Sequence, residues 1–287
     1  MAAAFSLAAG RFDERYAALT GGGKKHAALL LQCLDASQEV LAASKRARGA
    51  VYFSATLAPF DAARLTLGSE EGDACLMLPS PFDPGQLRAR IAPIDIRFAA
   101  REATAAQVAG EIAAQLRACA GNAIAFFPSY AYMERISELV LGGEGLADID
   151  FMRERRGLRE EEKRAMLAAF AGGRARCALF AVLGGAFSEG IDLPGEQLRC
   201  VIVVSTGMPQ PDAQVRAMQA YYNAQGENGF DMAMTLPGMT RVIQAAGRLI
   251  RTPQDEGELL LIDQRFRSAR VRGLLRGTLI GDALGIK

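Results

Sequence analysis

The chain has 287 residues, half of them hydrophobic, and its 33 lysines and arginines nearly balance its 32 aspartates and glutamates. This composition predicts a globular protein with a substantial core. The net charge of +1 excludes a global field that draws the whole protein to nucleic acid or membrane, so any polyanion site has to be local. The five cysteines are far apart, which favours buried free thiols in a reducing, cytoplasmic compartment over a zinc site, an iron–sulfur site or a disulfide framework.

Nothing in the sequence predicts a membrane segment. The longest apolar run, Cys177–Phe187, is far shorter than a spanning helix. The apolar N-terminal stretch Met1–Gly10 lacks the basic residues that begin a signal peptide. We therefore expect no membrane partner.

The first part of the chain alternates short strands and helices. Residues 1–25 hold no strong pattern. The predicted elements that follow are a strand at Ala27–Leu34, a helix from an Asp35–Gln38 capping box to Ala47, a buried strand at Ala50–Phe53 and a helix that closes at Gly68. A connector with four prolines, Pro79, Pro81, Pro84 and Pro93, then marks the best boundary. This divides the chain into domains 1–78 and 79–287.

The second part continues the alternation. The predicted strands are Ala123–Phe127, Cys177–Leu183, Cys200–Ser205 and Glu258–Ile262. The predicted helices run from a Thr104–Gln107 cap to Ala118, from Tyr130 to Gly142, from Arg159 to Phe170, from Asp212 to Ala224, through Gln244, and from Arg265 to Arg276. The last of these carries several arginines and is a candidate for contacts to single-stranded DNA. Continuous apolar strands between helices predict an α/β fold with a mostly parallel, doubly wound sheet.

The segment Gln244–Arg251 carries the strongest pattern. At helical period Gln244, Arg248 and Arg251 fall at i, i+4 and i+7, so an amide and two guanidinium groups share one stripe. Guanidinium groups bind phosphate oxygens bidentately and keep their charge, which suits a polyphosphate. Gly247 within this helix suggests that another group packs close to its backbone. The alternative is a solvated helix face that carries two arginines.

Three more segments follow predicted strands, and ligands of parallel sheets bind beyond the carboxyl ends of the strands. In Gly184–Asp192 the glycines allow backbone NH groups to face an anion, and Asp192 could bind a ribose hydroxyl or a metal-bound water. The alternative is that this segment is only a turn. Pro128–Tyr130 offers a hydroxyl and an aromatic face to nucleic acid, or its tyrosine packs in the core. Ser54–Thr56 offers paired hydroxyls, which also occur in helix caps.

In this order and spacing, the four segments resemble those of the XPD/DinG-type helicases of superfamily two. Ser54–Leu57 resembles motif III, Phe126–Tyr130 motif IV, Gly184–Asp192 motif V and Gln244–Arg251 motif VI. The resemblance covers nearly everything from Ala50 to Phe266.

The resemblance implies the C-terminal portion of an ATP-dependent DNA helicase of 5′ to 3′ polarity, with ATP and Mg²⁺ between two RecA-like lobes. Residues 1–78 would be a remnant of the first lobe, and residues 79–287 would be the second RecA-like lobe. By matching positions, Arg248 and Arg251 would be arginine fingers on the γ-phosphate, with Gln244 beside them. Nucleotide contacts are implied for Glu189, Gly190 and Asp192. The implied contacts to single-stranded DNA are Ser54, Thr56, Ser129, Tyr130 and Ser188.

Two expected nucleotide motifs do not match. A Walker A loop needs G-x-x-x-x-G-K-[ST], but Lys25 follows Gly23 and Lys24, and Ala18 stands at the first glycine. No apolar strand ends in an Asp–Glu pair placed for Mg²⁺, and the lone His26 follows no such strand. The cysteine cluster of some relatives would also lie upstream, so no iron–sulfur cluster is expected in this chain.

We therefore expect an N-terminal Walker A/B lobe as partner and no ATPase activity from this chain alone. One rival hypothesis is a non-enzymatic DNA-binding or regulatory module with a helicase-like fold. A second rival is an unrelated α/β nucleotide-dependent transferase.

Overall fold

The computed structural model describes residues 6, 9–23, 26–70, 72–173, 176–188, 193 and 197–286. By its internal contacts the chain separates into two compact units. The first comprises Met1–Met77 and Pro209–Pro237, and the second comprises Leu78–Met208 and Gly238–Lys287. The assignment of residues 1–78 to the remnant of a first helicase lobe stays a prediction.

The strands in chain order are β1 (Tyr16–Gly23), β2 (His26–Cys33), β3 (Leu87–Ala92), β4 (Ala123–Phe127), β5 (Ile149–Arg153), β6 (Arg176–Val182), β7 (Cys200–Val204) and β8 (Gly257–Ile262). The helices are α1 (Ser37–Ser44), α2 (Phe60–Leu67), α3 (Arg101–Ala118), α4 (Tyr130–Leu141), α5 (Glu160–Gly172), α6 (Ala213–Ala224), α7 (Leu236–Ala246), α8 (Ala269–Leu275) and α9 (Leu279–Ala283). A π-helical stretch, Asp231–Thr235, precedes α7.

The second unit is built on a six-stranded sheet in the order β3-β8-β7-β4-β6-β5. All neighbouring strands are parallel. The central strands β4 and β7 are buried along their whole length, as expected for strands covered by helices on both faces. The predicted α/β fold with a parallel, doubly wound sheet is confirmed. β3 and β5 were not predicted, because their charged residues interrupt the apolar pattern.

Side chains of the sheet alternate between two hydrophobic cores. Phe126 faces the core that includes Val242 of α7, and its neighbour Phe127 faces the core that includes Ile112 of α3. All four of these side chains and Ile202 of β7 are essentially inaccessible to solvent. Burying a side chain of this size stabilises the fold by about 1.5–3 kcal/mol. The two cores fix the strand ends from which the candidate site is built.

The first unit contains an antiparallel hairpin of β1 and β2. β2 agrees with the predicted strand, whereas β1 was missed because three glycines give Tyr16–Gly23 a low strand propensity. Asp35, which follows the hairpin, accepts hydrogen bonds at 2.8 Å from the Tyr221 hydroxyl and from the Ser37 backbone NH. The first of these bonds joins α6 to the end of the hairpin.

The predicted buried strand at Ala50–Phe53 is wrong. This segment forms no strand, and Val51 and Phe53 are 86% and 90% exposed. An apolar run of four residues can bury itself only by pairing with a sheet. Within the described residues of the first unit the only sheet is the β1–β2 hairpin, and this segment is not part of it.

Several predicted helix ends also differ. The Asp35 side chain accepts the NH of Ser37, and the cap residue Ala36 makes no side-chain hydrogen bond, so the predicted capping box is absent from α1. α3 begins at Arg101, and the Thr104 hydroxyl lies inside it and donates to the Ala100 carbonyl. Back-bonding of a threonine inside a helix competes with its use as a cap.

The predicted helix Arg265–Arg276 is two separate elements. A 3₁₀ turn, Gln264–Arg267, is followed by α8, and Ser268 caps α8 by accepting the NH of Val271 at 3.3 Å. Arg265 is held by the buried Asp263 in a two-pronged ion pair, with its closest contact at 2.6 Å. It therefore differs from the exposed arginines that follow it.

Cysteine burial divides the five thiols into two groups. Cys119, Cys177 and Cys200 are buried as predicted, but Cys33 and Cys75 are exposed. The prediction of buried thiols is thus wrong for the two cysteines of the first unit.

In the part of the chain that the structure describes, no helix combines the length and hydropathy needed to cross a bilayer.

Candidate functional site

Three loops meet at one edge of the sheet, because β4, β6 and β5 are parallel neighbours and their carboxyl ends point the same way. The loop after β4 leads into α4. Ser129 accepts the backbone NH of Tyr132 at 3.3 Å and so caps this helix. Tyr130 is the first residue of α4, and both residues are half-buried. The hydroxyl of Ser129 is therefore engaged as a helix cap.

Glu154, directly after β5, connects two of these loops. Its side chain is only 2% exposed, and Oε1 accepts hydrogen bonds from the Tyr130 hydroxyl and the Ala186 NH, each at 2.7 Å. Oε2 accepts the NH of Val182 at 2.9 Å. Partial burial and the bond to Glu154 raise the pKa of Tyr130 to about 12, so the phenol stays a donor. This carboxylate fixes the loops after β4 and β6 relative to each other.

Sequence reasoning missed Glu154. It lies among arginines after an unpredicted strand, where a single glutamate looks like surface charge. No sequence signal marks it, and its effect on the sequence is visible only in the structure: a Cβ at Gly185 would collide with both Glu154 oxygens, at 2.8 Å from Oε2. Glycine is needed at position 185 because the carboxylate passes so close to the backbone.

The loop after β6 is held by its own hydrogen bonds. The NH of Gly184 donates to Ser188 Oγ at 2.6 Å, and the NH of Gly185 donates to the Val182 carbonyl at 2.8 Å. The Ala186 NH is used by Glu154, and the Ser188 hydroxyl donates to the Val182 carbonyl at 2.9 Å. The prediction that these glycine NH groups face an anion is wrong for this stretch. Glycine serves the turn instead, with Gly184 at a φ of +82°.

The predicted helical stripe is also wrong. α7 ends at Ala246, and the chain from Gly247 onward turns away from helical geometry. Gln244, Arg248 and Arg251 therefore do not lie on one helix at i, i+4 and i+7. A Cβ at Gly247 would meet only carbonyl oxygens of α7 itself, at 3.2 and 3.8 Å. The glycine lies at the end of the helix, where glycine is common, and among the described residues no other segment packs closely against it.

The two arginines have different surroundings. Arg248 is buried, with 9% of its surface exposed, and its Nη2 donates to the backbone carbonyl of Ser188. Arg251 is half-buried, and its backbone NH donates to Asp255 Oδ2 at 2.8 Å, as does the NH of Thr252. Burial of Asp255 opposes its ionisation, but the two NH groups outweigh this and lower its pKa. Arg248 thus joins the loop after β6, and Asp255 fixes the backbone that carries Arg251.

Gln244 and Arg241 lie on α7. Gln244 is exposed. Arg241 donates to the Gly207 carbonyl at 3.4 Å, and its guanidinium lies 3.7 Å from the position of a Cβ on Gly184. It therefore belongs to the surroundings of the loop after β6.

The predicted site residues not yet described lie in the first unit or outside the described residues. Ser54 and Thr56 belong to the first unit, where their hydroxyl oxygens lie 3.2 Å apart in an exposed turn. Glu189, Gly190 and Asp192 lie outside the described residues. The structure thus brings together Ser129, Tyr130, Ser188 and Arg248, and adds Glu154.

The chain matches the model of a known domain family. The family is described as the helicase C-terminal domain, and the match covers residues 112–279, more than half of the chain. The matched region contains the loops after β4, β5 and β6 and the arginine segment after α7.

Similar proteins include two named as ATP-dependent DNA helicases. DinG of Photobacterium profundum is 36% identical over 87 residues, which are 30% of this chain and 13% of that protein. The chl-1 protein of Caenorhabditis elegans is 37% identical over 112 residues, or 38% of this chain and 13% of that protein. The matches thus span only about one eighth of the length of these relatives.

Solved structures described as XPD have the same fold. An XPD helicase matches with a TM-score of 0.68 at 17% identity, over 90% of this chain and 46% of that one. An apo XPD structure matches with a TM-score of 0.66 at 17% identity, over 95% and 54%. The predicted resemblance to the C-terminal portion of an XPD/DinG-type helicase is confirmed, and the chain belongs to the helicase C-terminal domain family.

Proposed function

We propose that this chain is the C-terminal lobe of an ATP-dependent DNA helicase with 5′ to 3′ polarity. It would supply the arginine fingers Arg248 and Arg251, with Gln244 beside them, to an ATP site completed by an N-terminal Walker A/B lobe. It would also supply part of a track for single-stranded DNA. The names of the similar proteins, both ATP-dependent DNA helicases, support the reaction class.

The observation that carries this proposal is the contact between Arg248 and the Ser188 carbonyl. It joins the segment that resembles motif VI to the loop that resembles motif V. A buried guanidinium held in this way has its position set before any ligand arrives. Arg251 lies three residues further on, and its backbone position is fixed by the hydrogen bond from its NH group to Asp255.

The donors present suit one side of ATP. Arginine guanidinium groups match the γ-phosphate, where negative charge accumulates during transfer. Mg²⁺ at phosphate sites is usually held by one or two carboxylates, and no apolar strand of this sequence ends in the Asp–Glu pair of a Walker B motif. Our proposal therefore places only the phosphate-facing cations on this chain and assigns the Mg²⁺ ligands to the other lobe.

Exposed apolar segments of the first unit support the proposed lobe partner. Val51 and Phe53 are 86% and 90% exposed, and Leu76 and Met77 are 77% and 51% exposed. Contiguous apolar residues on a surface usually mark a place where another protein surface docks. Strand pairing with an N-terminal lobe would bury both segments.

The test uses a protein in which this chain is joined to a Walker A/B lobe of a DinG-type helicase. We expect DNA-stimulated ATP hydrolysis in the joined protein and none in the 287-residue chain alone. Arg251→Lys keeps the charge but loses the planar fork, so the rate should fall by roughly 10³- to 10⁵-fold with little change in ATP affinity.

The matched control is Arg117→Lys, because Arg117 is exposed at the C-terminal end of α3, at the opposite edge of the sheet. Arg241→Ala is unsuitable as a neutral control because the Arg241 guanidinium lies beside Gly184 in the loop after β6, which belongs to the candidate site. DNA binding without ATPase in the joined protein would favour a non-enzymatic DNA-binding module. Hydrolysis that DNA does not stimulate would favour an unrelated nucleotide-dependent transferase. Full ATPase after Arg251→Lys would refute the arginine-finger role.

A further inference from the structure

The segment after β5 presents arginines to solvent next to the candidate site. Arg153, Arg155 and Arg156 are exposed, whereas Glu154 between them points inward to the hydrogen bonds described above. The segment lies at the carboxyl end of β5, at the same edge of the sheet as Tyr130. This is the edge at which ligands of parallel sheets bind.

The arginines of this segment fall into two classes. Arg155 and Arg159 approach Glu162 of α5, at 3.9 and 3.2 Å, and so have an acidic partner. Arg156 makes no ion pair within the described residues, and its Cζ lies 4.7 Å from the centroid of the Tyr130 ring. Arg156 is therefore a cation supported by an aromatic ring.

Tyr130 is engaged at two positions. Its hydroxyl donates to Glu154, and one face of its ring carries the Arg156 guanidinium. A cation over an aromatic face is attracted to it even at an exposed site, which favours one orientation of a long side chain. An arginine that is already oriented loses less side-chain entropy when it binds a ligand.

From this geometry, and resting on the proposed function, we propose that Arg156 contacts a backbone phosphate of single-stranded DNA and that Tyr130 is its platform. Glu154 is the positioning residue, because it holds the tyrosine by its hydroxyl. Arg153 is a second exposed cation on the same segment. The planar guanidinium matches a phosphate, and arginine next to an aromatic ring is a recurrent feature of single-strand binding surfaces.

The test measures the binding of the full chain to a fluorescein-labelled oligo(dT) by anisotropy, over a range of NaCl concentrations. Each phosphate contact to a single strand contributes about 0.7 to the slope of log K against log salt. We expect Arg156→Ala to lower the slope by about that amount. Arg117→Ala, at the opposite edge of the sheet, removes the same charge and should leave the slope unchanged.

Two tyrosine variants test the platform. Tyr130→Phe keeps the ring but loses the bond to Glu154, so it should keep the slope and bind somewhat more weakly. Tyr130→Leu removes the ring and should weaken binding further at each salt concentration. Circular dichroism melts check that each variant is folded. Binding of heparin gives a further comparison, since an equal loss of heparin and DNA affinity in Arg156→Ala would indicate general attraction of polyanions and overturn the proposal.

The outcomes separate this inference from the proposed function. If the wild-type chain binds oligo(dT) and Arg156→Ala has an unchanged slope, the inference is wrong while the helicase proposal stands. If the wild-type chain does not bind at low salt, both the inference and the proposed DNA track on this chain are wrong. A joined protein without DNA-stimulated ATPase contradicts the helicase proposal whatever the slope of Arg156→Ala.

Discussion

Replacing Glu154 should destabilise the second unit more than any exposed glutamate does. In Glu154→Ala, the NH groups of Val182 and Ala186 and the Tyr130 hydroxyl lose their acceptor. Leaving a buried donor unsatisfied costs about 1–3 kcal/mol, and water can reach the half-buried partners in part. We expect a total loss of about 3–5 kcal/mol, because three donors lose their acceptor at the same time.

Glu154→Gln gives a finer test because it keeps the volume of the side chain. The two oxygens accept from three donors, so an amide NH₂ at either position must face at least one NH group. We expect a loss of about 2–3 kcal/mol, the worth of one hydrogen bond to a charged group. Tyr130→Phe removes one donor and leaves two on the carboxylate, so it should cost only about 1 kcal/mol.

Amide hydrogen exchange over the stretch that contains Val182 and Ala186 is the suitable assay, because the two units of the chain need not unfold together. The exposed Glu134 of α4 provides the control, and Glu134→Gln should change the free energy of unfolding by less than about 0.5 kcal/mol. The reasoning is refuted if Glu154→Gln exchanges like the wild type, or if Tyr130→Phe costs more than Glu154→Ala.

The remaining predictions concern a glycine, a tyrosine and the exposed thiols. Gly185→Ala should cost about 1–3 kcal/mol in urea unfolding, whereas Gly110→Ala, where a Cβ meets nothing within 4 Å, should stabilise α3 by up to about 1 kcal/mol. The pKa of Tyr130 rises from 10.0 to about 12 in the folded chain. The protonated Tyr130 hydroxyl therefore contributes fully to the free energy of unfolding below pH 10, and this contribution is lost as the pH rises towards 12. The difference in unfolding free energy between the wild type and Tyr130→Phe should therefore narrow over that window, and a constant difference would contradict the assignment. In the native protein a thiol reagent should label Cys33 and Cys75 quickly. Rapid labelling of all five cysteines would mean that the hydrophobic cores of the second unit are open to solvent.

Apolar patterns predicted the part of the structure that depends on burial. The runs at β4, β6, β7 and β8 are continuous because helices cover both faces of the sheet. The predicted ends of these four strands all lie within one residue of the observed ends. The same rule failed at Ala50–Phe53, since an apolar run specifies a strand only when a sheet is present to receive it. β5 escaped prediction because Asp150 and Arg153 face outward from an edge strand.

The candidate site was harder to predict because it depends on contacts between distant segments. Periodicity treated Gln244 to Arg251 as one helix, but α7 ends before Arg248. Glu154 offers no local signal at all, since its role is defined by donors that lie 24 to 32 residues away in the sequence. Motif order correctly located the loops after β4 and β6, whereas the directions of their side chains depend on the fold.

Three hydrogen bonds and a short stretch of the loop after β6 connect the segments that resemble motifs IV, V and VI. The bonds run from Tyr130 to Glu154, from Glu154 to Ala186 in the loop after β6, and from Ser188 at the end of that loop to Arg248. Every member is buried or half-buried, so a shift of the loop has to displace either Arg248 or Tyr130, or break a bond. In the proposed helicase lobe, Arg248 would face ATP and the Arg156–Tyr130 pair would face DNA. The loop after β6 would then be the physical link through which a change at the nucleotide reaches the strand.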